Sequence, residues 1–342
     1  MLRELPKISI IVPVYNSAKS VEASLQSLFN QTLHDIEIIA VNDASTDDSG
    51  NVLKKLAKQE ARLKVIDSLT NVGVHHARAA GIRAANAPWI GFLDADDFAK
   101  PTMFERLYQT ASMHEPDICI CGSELLTAEH EKLGDKVCFP ADGIIVTDIF
   151  ESFCELRFGS GALWNKLYRA ELMKRWGVVQ FRWRQDATED TLVNIGCFLD
   201  ARKVCLLKEV LHEYVRHSSS ANAVVSKAKA LVRLLRAYAV AIEIYGRGRE
   251  DAAAWITGLY GKQLAYDDYH VSSAKQLEPF HAELIEAFSL VAHLYPEGLA
   301  LLIQKKLAPV QNKSFRAAFY DFVRLAVRLP LLFTTALIRR MR

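Results

Sequence analysis

Three carboxylates within four residues, Asp94, Asp96 and Asp97, follow the apolar run Pro88-Trp89-Ile90-Gly91-Phe92-Leu93. The run reads as a buried strand, and an abrupt acidic end to such a strand is costly unless a cation or ligand offsets the charge. Hard carboxylate oxygens at i and i+2 suit Mg2+ or Mn2+, ions that take one or two carboxylates and complete their shell with water and substrate phosphate. In an open α/β sheet, ligands collect beyond the carboxyl ends of the strands, which is where these side chains fall. By itself the stretch serves two readings equally. One is a metal-diphosphate site. The other is an acidic loop capping the helix that begins near Pro101, with Asp97 as a solvated charge at its N-terminus.

Other residues of chemical interest are spread along the chain. Asp43 follows the apolar run Ile36 to Val41, at a strand end like that of Asp94, and a carboxylate there can accept a hydrogen bond from a nucleobase N–H. Arg78 falls in the first turns of a helix opened by Asn71-Val72-Gly73, where a guanidinium pairs with carboxylates or phosphate. In Trp164-Asn165-Lys166-Leu167-Tyr168-Arg169, Trp164 and Leu167 read as core, while Asn165 and Lys166 could instead face a bound phosphate. Glu189 and Asp190 stand in the first turn of an apolar helix, where acids favour the macrodipole and need no further function. Arg216 or His217 could close over a diphosphate, and a surface loop explains that stretch equally well.

The elements that must position these residues alternate. Lys7 to Val14, Ile36 to Val41, Leu63 to Ile66 and Trp89 to Leu93 read as strands, separated by helices, the first from about Ala18 to Gln31. This order specifies a mostly parallel α/β sheet covered on both faces. Helix Thr102 to Met113 and strand Asp117 to Cys121 extend it, Gly134 to Gly143 is expected as a hairpin, and two strands, Lys203 to Leu207 and Val210 to Val215, follow helix Thr191 to Leu199. Beyond about Ala223 the composition turns helical. The expected division is a sheet domain over 1–222 and a helical region over 223–342 with a basic amphipathic tail, 313–342. That tail joins phenylalanines and leucines to seven Lys and Arg residues between Lys313 and Arg342 and suits the headgroup boundary of an anionic membrane; packing on its own domain or a second subunit is the rival.

Composition narrows the field. A 342-residue chain that is 50% apolar can bury a large core, and a net charge of +2 gives no pull toward nucleic acid. No stretch approaches the roughly 18 apolar residues of a membrane span and Met1 to Lys7 is no signal peptide, so a cytoplasmic protein is expected. The six cysteines lack zinc-site spacing and read as reduced core residues. The turn Pro13 to Ser17 holds no glycine, which removes both the dinucleotide fingerprint and the P-loop.

Four blocks in order, Lys7-Ile8-Ser9-Ile10-Ile11-Val12-Pro13-Val14-Tyr15-Asn16, Val41-Asn42-Asp43-Ala44-Ser45-Thr46-Asp47, Asn71-Val72-Gly73 with Arg78, and Phe92-Leu93-Asp94-Ala95-Asp96-Asp97, resemble the family 2 inverting glycosyltransferases of bacterial polysaccharide synthesis. The resemblance implies the GT-A fold and a nucleotide-sugar donor, with UDP the expected carrier. It implies that Pro13, Tyr15 and Asp43 line the nucleoside pocket with Asn16, Asn71, Arg78 and Ala95 close by. Asp94 would meet the ribose or the metal, and Asp96 the Mn2+ or Mg2+ bridging the diphosphate. Asp190 matches the family's catalytic base, with Glu189 orienting acceptor or base. The acceptor would be a glycan or lipid-linked glycan, reached from the inner face of the cytoplasmic membrane. Two rivals are a sugar-phosphate nucleotidyltransferase, which would want a glycine-rich triphosphate loop after the first strand, and a non-catalytic nucleotide-sugar-binding scaffold.

Overall fold

The computed structural model describes residues 5–185, 188–216, 225–269, 271 and 274–307. Contacts divide the chain into two compact units, Met1–Gln180 with Gly196–Ser218, and Phe181–Ile195 with Ser219–Arg342.

The first unit carries strands and helices in the order β1 (Ile8–Val14), α1 (Val21–Phe29), β2 (Ile36–Asn42), α2 (Ser49–Ala57), β3 (Leu63–Asp67), α3 (Val74–Ala84), β4 (Trp89–Phe92), β5 (Phe98–Ala99) and α4 (Met103–His114). It continues with β6 (Ile118–Leu126), β7 (Lys132–Val137), β8 (Gly143–Ile145), α5 (Ile149–Cys154), β9 (Lys166–Arg169), α6 (Ala170–Trp176), α7 (Glu189–Asp200), within which the two units divide, and β10 (Val204–Val215). The strands form one ten-stranded sheet in the order β3-β2-β1-β4-β9-β6-β10-β5, with β7 on β6 and β8 on β10. Pairs β1/β2, β2/β3, β1/β4 and β6/β10 are parallel, whereas β9 runs antiparallel to β4 and β6.

Burial on both faces explains the continuous apolar strands: Ile8, Ile10, Val12 and Val14 pack with Leu25, Leu28, Leu53 and Phe104 in one core. Small residues on α3 allow a close approach. A Cβ on Gly81 would lie 2.5 Å from Ile11 Cγ2. Register sets the strand tips level, Val14 beside Asn42 and Asn42 beside Asp67, so the loops after β1, β2 and β4 emerge from one sheet edge.

Five local expectations differ from the structure. Helix α1 begins at Val21, because Ser17 C=O accepts from Ser20 and Val21 N–H and turns the chain first. Strand β6 runs past Cys121 to Leu126, and the two strands expected after Lys203 are one strand with irregular register between Leu206 and His212. The segment Gly134 to Gly143 is not a hairpin on itself, since β7 pairs with β6 and β8 with β10. All six cysteines are free, yet Cys138 is exposed and only the other five are buried.

In the second unit, Ser226 Oγ accepts from Lys229 N–H and caps α8 (Lys227–Ala241), which passes into a π-helical turn, Ile242–Gly246. Helices α9 (Glu250–Gln263), α10 (His281–Leu294) and α11 (Pro296–Leu307) follow, with Tyr238 and Thr257 hydroxyls 2.9 Å apart between α8 and α9. No helix among the described residues is long and apolar enough to cross a membrane. His217 and the tail 313–342 lie outside the described residues.

Candidate active site

At the tips of β1 and β2, Asp43 is 2% exposed and its two carboxylate oxygens accept from Val72 N–H (2.9 Å) and Gly73 N–H (2.8 Å). Asn71 Nδ2 donates to the Asp43 carbonyl at 3.2 Å. Asp43 thus fixes the turn that opens α3, and Gly73, at φ +92°, supplies a backbone conformation that L side chains resist. Asn16 Oδ1 accepts from Thr46 N–H at 2.8 Å, and Ser45 Oγ accepts from Asn16 N–H at 3.1 Å, so Asn16 ties the loop after β1 to the loop after β2. Pro13 is half-buried under this loop pair. The Tyr15 ring, 48% exposed, stands out from it as a ready stacking surface.

At the tip of β4 the chain closes a turn in which Asp97 N–H donates to Asp94 C=O at 3.1 Å, with Ala95 buried and Asp96 half-buried inside it. Arg78, itself buried, donates to Asp94 Oδ1 at 2.8 Å and brings α3 against this turn. Asp43, Asn71, Arg78, Asp94, Ala95 and Asp96 therefore gather at one edge of the sheet. Asp97 does not belong to the solvated surface. It is 1% exposed, its Oδ1 accepts from Val215 N–H at 2.9 Å, and its Oδ2 lies 3.6 Å from His212 Nε2. Burial, then the charges of Asp94 and Asp96, hold the Asp97 carboxyl well above the usual carboxylate range. The same three aspartates add to burial in pushing the Tyr214 phenol up to about 12, while Lys136 Nζ sits 4.1 Å over that ring.

Asn165 and Lys166 are fully buried. Lys166 Nζ donates to Ala162 C=O (2.6 Å) and Asn165 Oδ1 (2.9 Å), and Asn165 Nδ2 donates to Cys121 C=O at 2.8 Å. These bonds give both side chains the work of shaping the loop before β9. Arg216 is exposed at the end of β10, its N–H on Leu126 C=O. In the second unit Glu189 is buried and Asp190 half-buried in the first turn of α7, where Asp190 Oδ1 accepts from Thr191 N–H at 2.7 Å.

Residues 9–125, which hold every one of these strand tips except that of β10, match the model of glycosyl transferase family 2. The glycosyltransferase EpsJ of Bacillus subtilis is 34% identical over 264 residues, covering 74% of this chain and 75% of its own. The chain belongs to family 2 of the glycosyltransferases. S. aureus TarS 1-349, solved in complex with UDP-GlcNAc, superposes with a TM-score of 0.69 at 20% identity over 94% of this chain and 90% of that one. The mannosyltransferase PcManGT of Pyrobaculum calidifontis, solved with GDP-Man and Mn2+, gives 0.54 at 16% identity over 95% and 86%. The sheet is the GT-A fold.

For a family 2 glycosyltransferase the acidic turn passes a chemical test for a divalent ion. No three His, Cys, Asp or Glu side chains among the described residues form a closed cage. A nucleotide-bound Mg2+ or Mn2+ needs only one or two carboxylates. Asp94 and Asp96 supply hard oxygens at i and i+2, and their negative charges, which add to the burial that raises Asp97 and Tyr214, are ones that such an ion offsets. The sequence pattern missed Asp97, His212 and Tyr214 as neighbours. The only signal was the third acid of Asp94-Ala95-Asp96-Asp97, since β10 begins more than a hundred residues later.

Proposed function

We propose that this family 2 glycosyltransferase moves a sugar from a nucleotide diphosphate donor, UDP being the expected carrier, to a hydroxyl of a glycan or lipid-linked glycan with inversion at the anomeric carbon. The observation that carries this reading is the acidic turn Asp94 to Asp97 set against Arg78 at the sheet edge where Asp43 fixes the α3 turn. Tyr15 offers its ring to the base, Asp43 and Asn71 shape the pocket wall, and Arg78 holds Asp94 in place near the ribose. Asp96, with Asp94, would hold a Mn2+ or Mg2+ ion, which when bound supplies positive charge against the departing diphosphate. On the acceptor side Asp190 takes the proton of the attacking hydroxyl as that oxygen bonds to the anomeric carbon and the carbon–diphosphate oxygen bond breaks. Glu189 orients the acceptor or the base, and Arg216 and His217 are assigned to the diphosphate. The tail 313–342 rests on an anionic membrane surface in this reading, which liposome flotation of the full chain against a chain ending at Asn312 tests: equal flotation rejects it.

The direct test is product stereochemistry. Incubation with UDP-sugars, Mn2+ and glycan acceptors, followed by NMR of the new anomeric proton, should give the configuration opposite to the donor's. A product of retained configuration overturns the inverting mechanism and the role of Asp190 with it.

A further inference from the structure

The third acid of the turn faces away from solvent, toward a buried imidazole. Asp97 Oδ2 and His212 Nε2 have no hydrogen-bond partner, are shielded from water and lie 3.6 Å apart. The His212 ring is fixed on its other sides. Its Nδ1 is 3.0 Å from Ser123 Oγ, and its face stacks on Trp164 with centroids 4.2 Å apart and planes 14° apart. Trp164 is in turn held by the loop whose carbonyls Lys166 gathers, Ala162 C=O at 2.6 Å and Ser160 C=O at 3.4 Å, and by Asn165, which joins that loop to Cys121 on β6.

Through Asp97 this buried assembly reaches the site. The Asp97 N–H closes the turn onto Asp94 C=O, and its Oδ1 takes the Val215 N–H at the end of β10, so one residue both closes the turn around Asp96 and ties it to β10. The Val215 N–H bond to Asp97 Oδ1 and the Ser123 contact to His212 Nδ1 anchor the two groups, so the buried carboxyl and imidazole keep their remaining polar atoms 3.6 Å apart and away from water. A side chain aimed at His212 is not aimed at an ion beside Asp94 and Asp96.

We propose that Asp97, His212 and Trp164 form a buried brace that fixes the Asp94 to Asp96 turn, and that Asp97 is a positioning residue rather than a ligand of the divalent ion. The Trp164-Asn165-Lys166 run then acts from behind the turn. This inference rests on the donor-and-ion reading above and goes beyond it by dividing three adjacent acids into two that meet the ion and one that holds them there. What residue 97 must supply is shape: an acceptor for Val215 N–H and a polar atom toward His212.

Mn2+ affinity in the presence of saturating UDP, measured by electron paramagnetic resonance of free Mn2+, tests it, with melting temperature recorded for each variant. Asp97→Asn keeps both contacts and should hold the Mn2+ Kd within about threefold. Asp97→Ala should weaken it tenfold or more. His212→Gln places an amide near Nε2 and should bind Mn2+ at least threefold more tightly than His212→Asn, which reaches Ser123 only; both lose the ring stack, so the difference isolates the contact to Asp97. Asp97→Asn losing Mn2+ as fully as Asp96→Asn makes Asp97 a ligand and overturns the proposal. So does an unchanged Kd in Asp97→Ala or, should that variant not fold, equal affinities for the two His212 variants. Wild-type protein whose UDP affinity ignores Mn2+ overturns the donor-and-ion reading first, and the brace falls with it.

Discussion

Replacing Asp43 with alanine removes both acceptors from the turn that opens α3. Each oxygen of that carboxylate takes one backbone N–H, Val72 at 2.9 Å and Gly73 at 2.8 Å, at a side chain 2% exposed. Hydrogen bonds to a charged partner contribute about 1.5–3 kcal/mol each, and a buried N–H left unmade costs a comparable amount. The two bonds together make Asp43→Ala worth about 3–6 kcal/mol. Asp43→Asn keeps one acceptor and turns an NH2 group toward the other N–H, for a loss of about 2 kcal/mol. Because 1.4 kcal/mol is a factor of ten, local opening that exposes the Val72 and Gly73 amides should become about 30-fold more frequent in Asp43→Asn. Hydrogen exchange resolved to these amides, with urea unfolding for the global value, measures both. Gly73→Ala strains the same turn from its other side, at φ +92°, by about 1–3 kcal/mol and should quicken the same amides. Unchanged exchange at Val72 and Gly73 in Asp43→Ala, with stability within about 0.5 kcal/mol of wild type, refutes this account of Asp43.

Three further outcomes follow from single contacts. His75 is buried with its ring bonded to Val179 C=O at 2.7 Å, and burial, helped by the charges of His76, Arg78 and Arg83, pushes its pKa down from 6.5 to about 4. Its stabilising effect is complete above pH 6.5 and is lost as pH falls from 6.5 toward 4, where the unfolded chain takes the proton first; unfolding across that range should show about 3 kcal/mol of pH dependence that His75→Gln largely removes. Gly91→Ala places a Cβ 2.6 Å from Phe104 Cε1 and should cost about 1–3 kcal/mol by urea unfolding. Arg78→Met leaves Asp94 without its 2.8 Å partner; since Asp94 is partly open to water, a loss of about 1–3 kcal/mol and weaker UDP binding by calorimetry are expected.

Much of the sheet could be read from the chain because parallel strands buried on both faces must be apolar throughout, as in Ile36 to Val41. The strand tips followed, since Asp43, Arg78 and Asp94 lie next to segments with strong local signals. Features that depend on distant partners could not be read this way. Gly122-Ser123-Glu124 looks like the end of a strand, yet β6 continues because Ser123 meets His212 and Glu124 pairs with Lys100 at 2.5 Å and Lys132 at 3.0 Å. Lys208-Glu209 looks like a turn, but β10 carries it as a register irregularity. Asp97 looked like a helix-capping charge until its partner, 115 positions on, was in view. Asn165 and Lys166 looked polar and available, and burial spends them on loop carbonyls.

Two substitutions with two readouts test the central claim most directly. UDP binding with and without Mn2+, and sugar transfer, are to be measured for Asp96→Asn and Asp190→Asn beside wild type. Asp96→Asn should lose the Mn2+-dependent part of UDP binding, whereas Asp190→Asn should bind UDP and Mn2+ as wild type does and transfer no sugar. Turnover near the wild-type rate in Asp190→Asn, or Mn2+-dependent UDP binding intact in Asp96→Asn, contradicts the account.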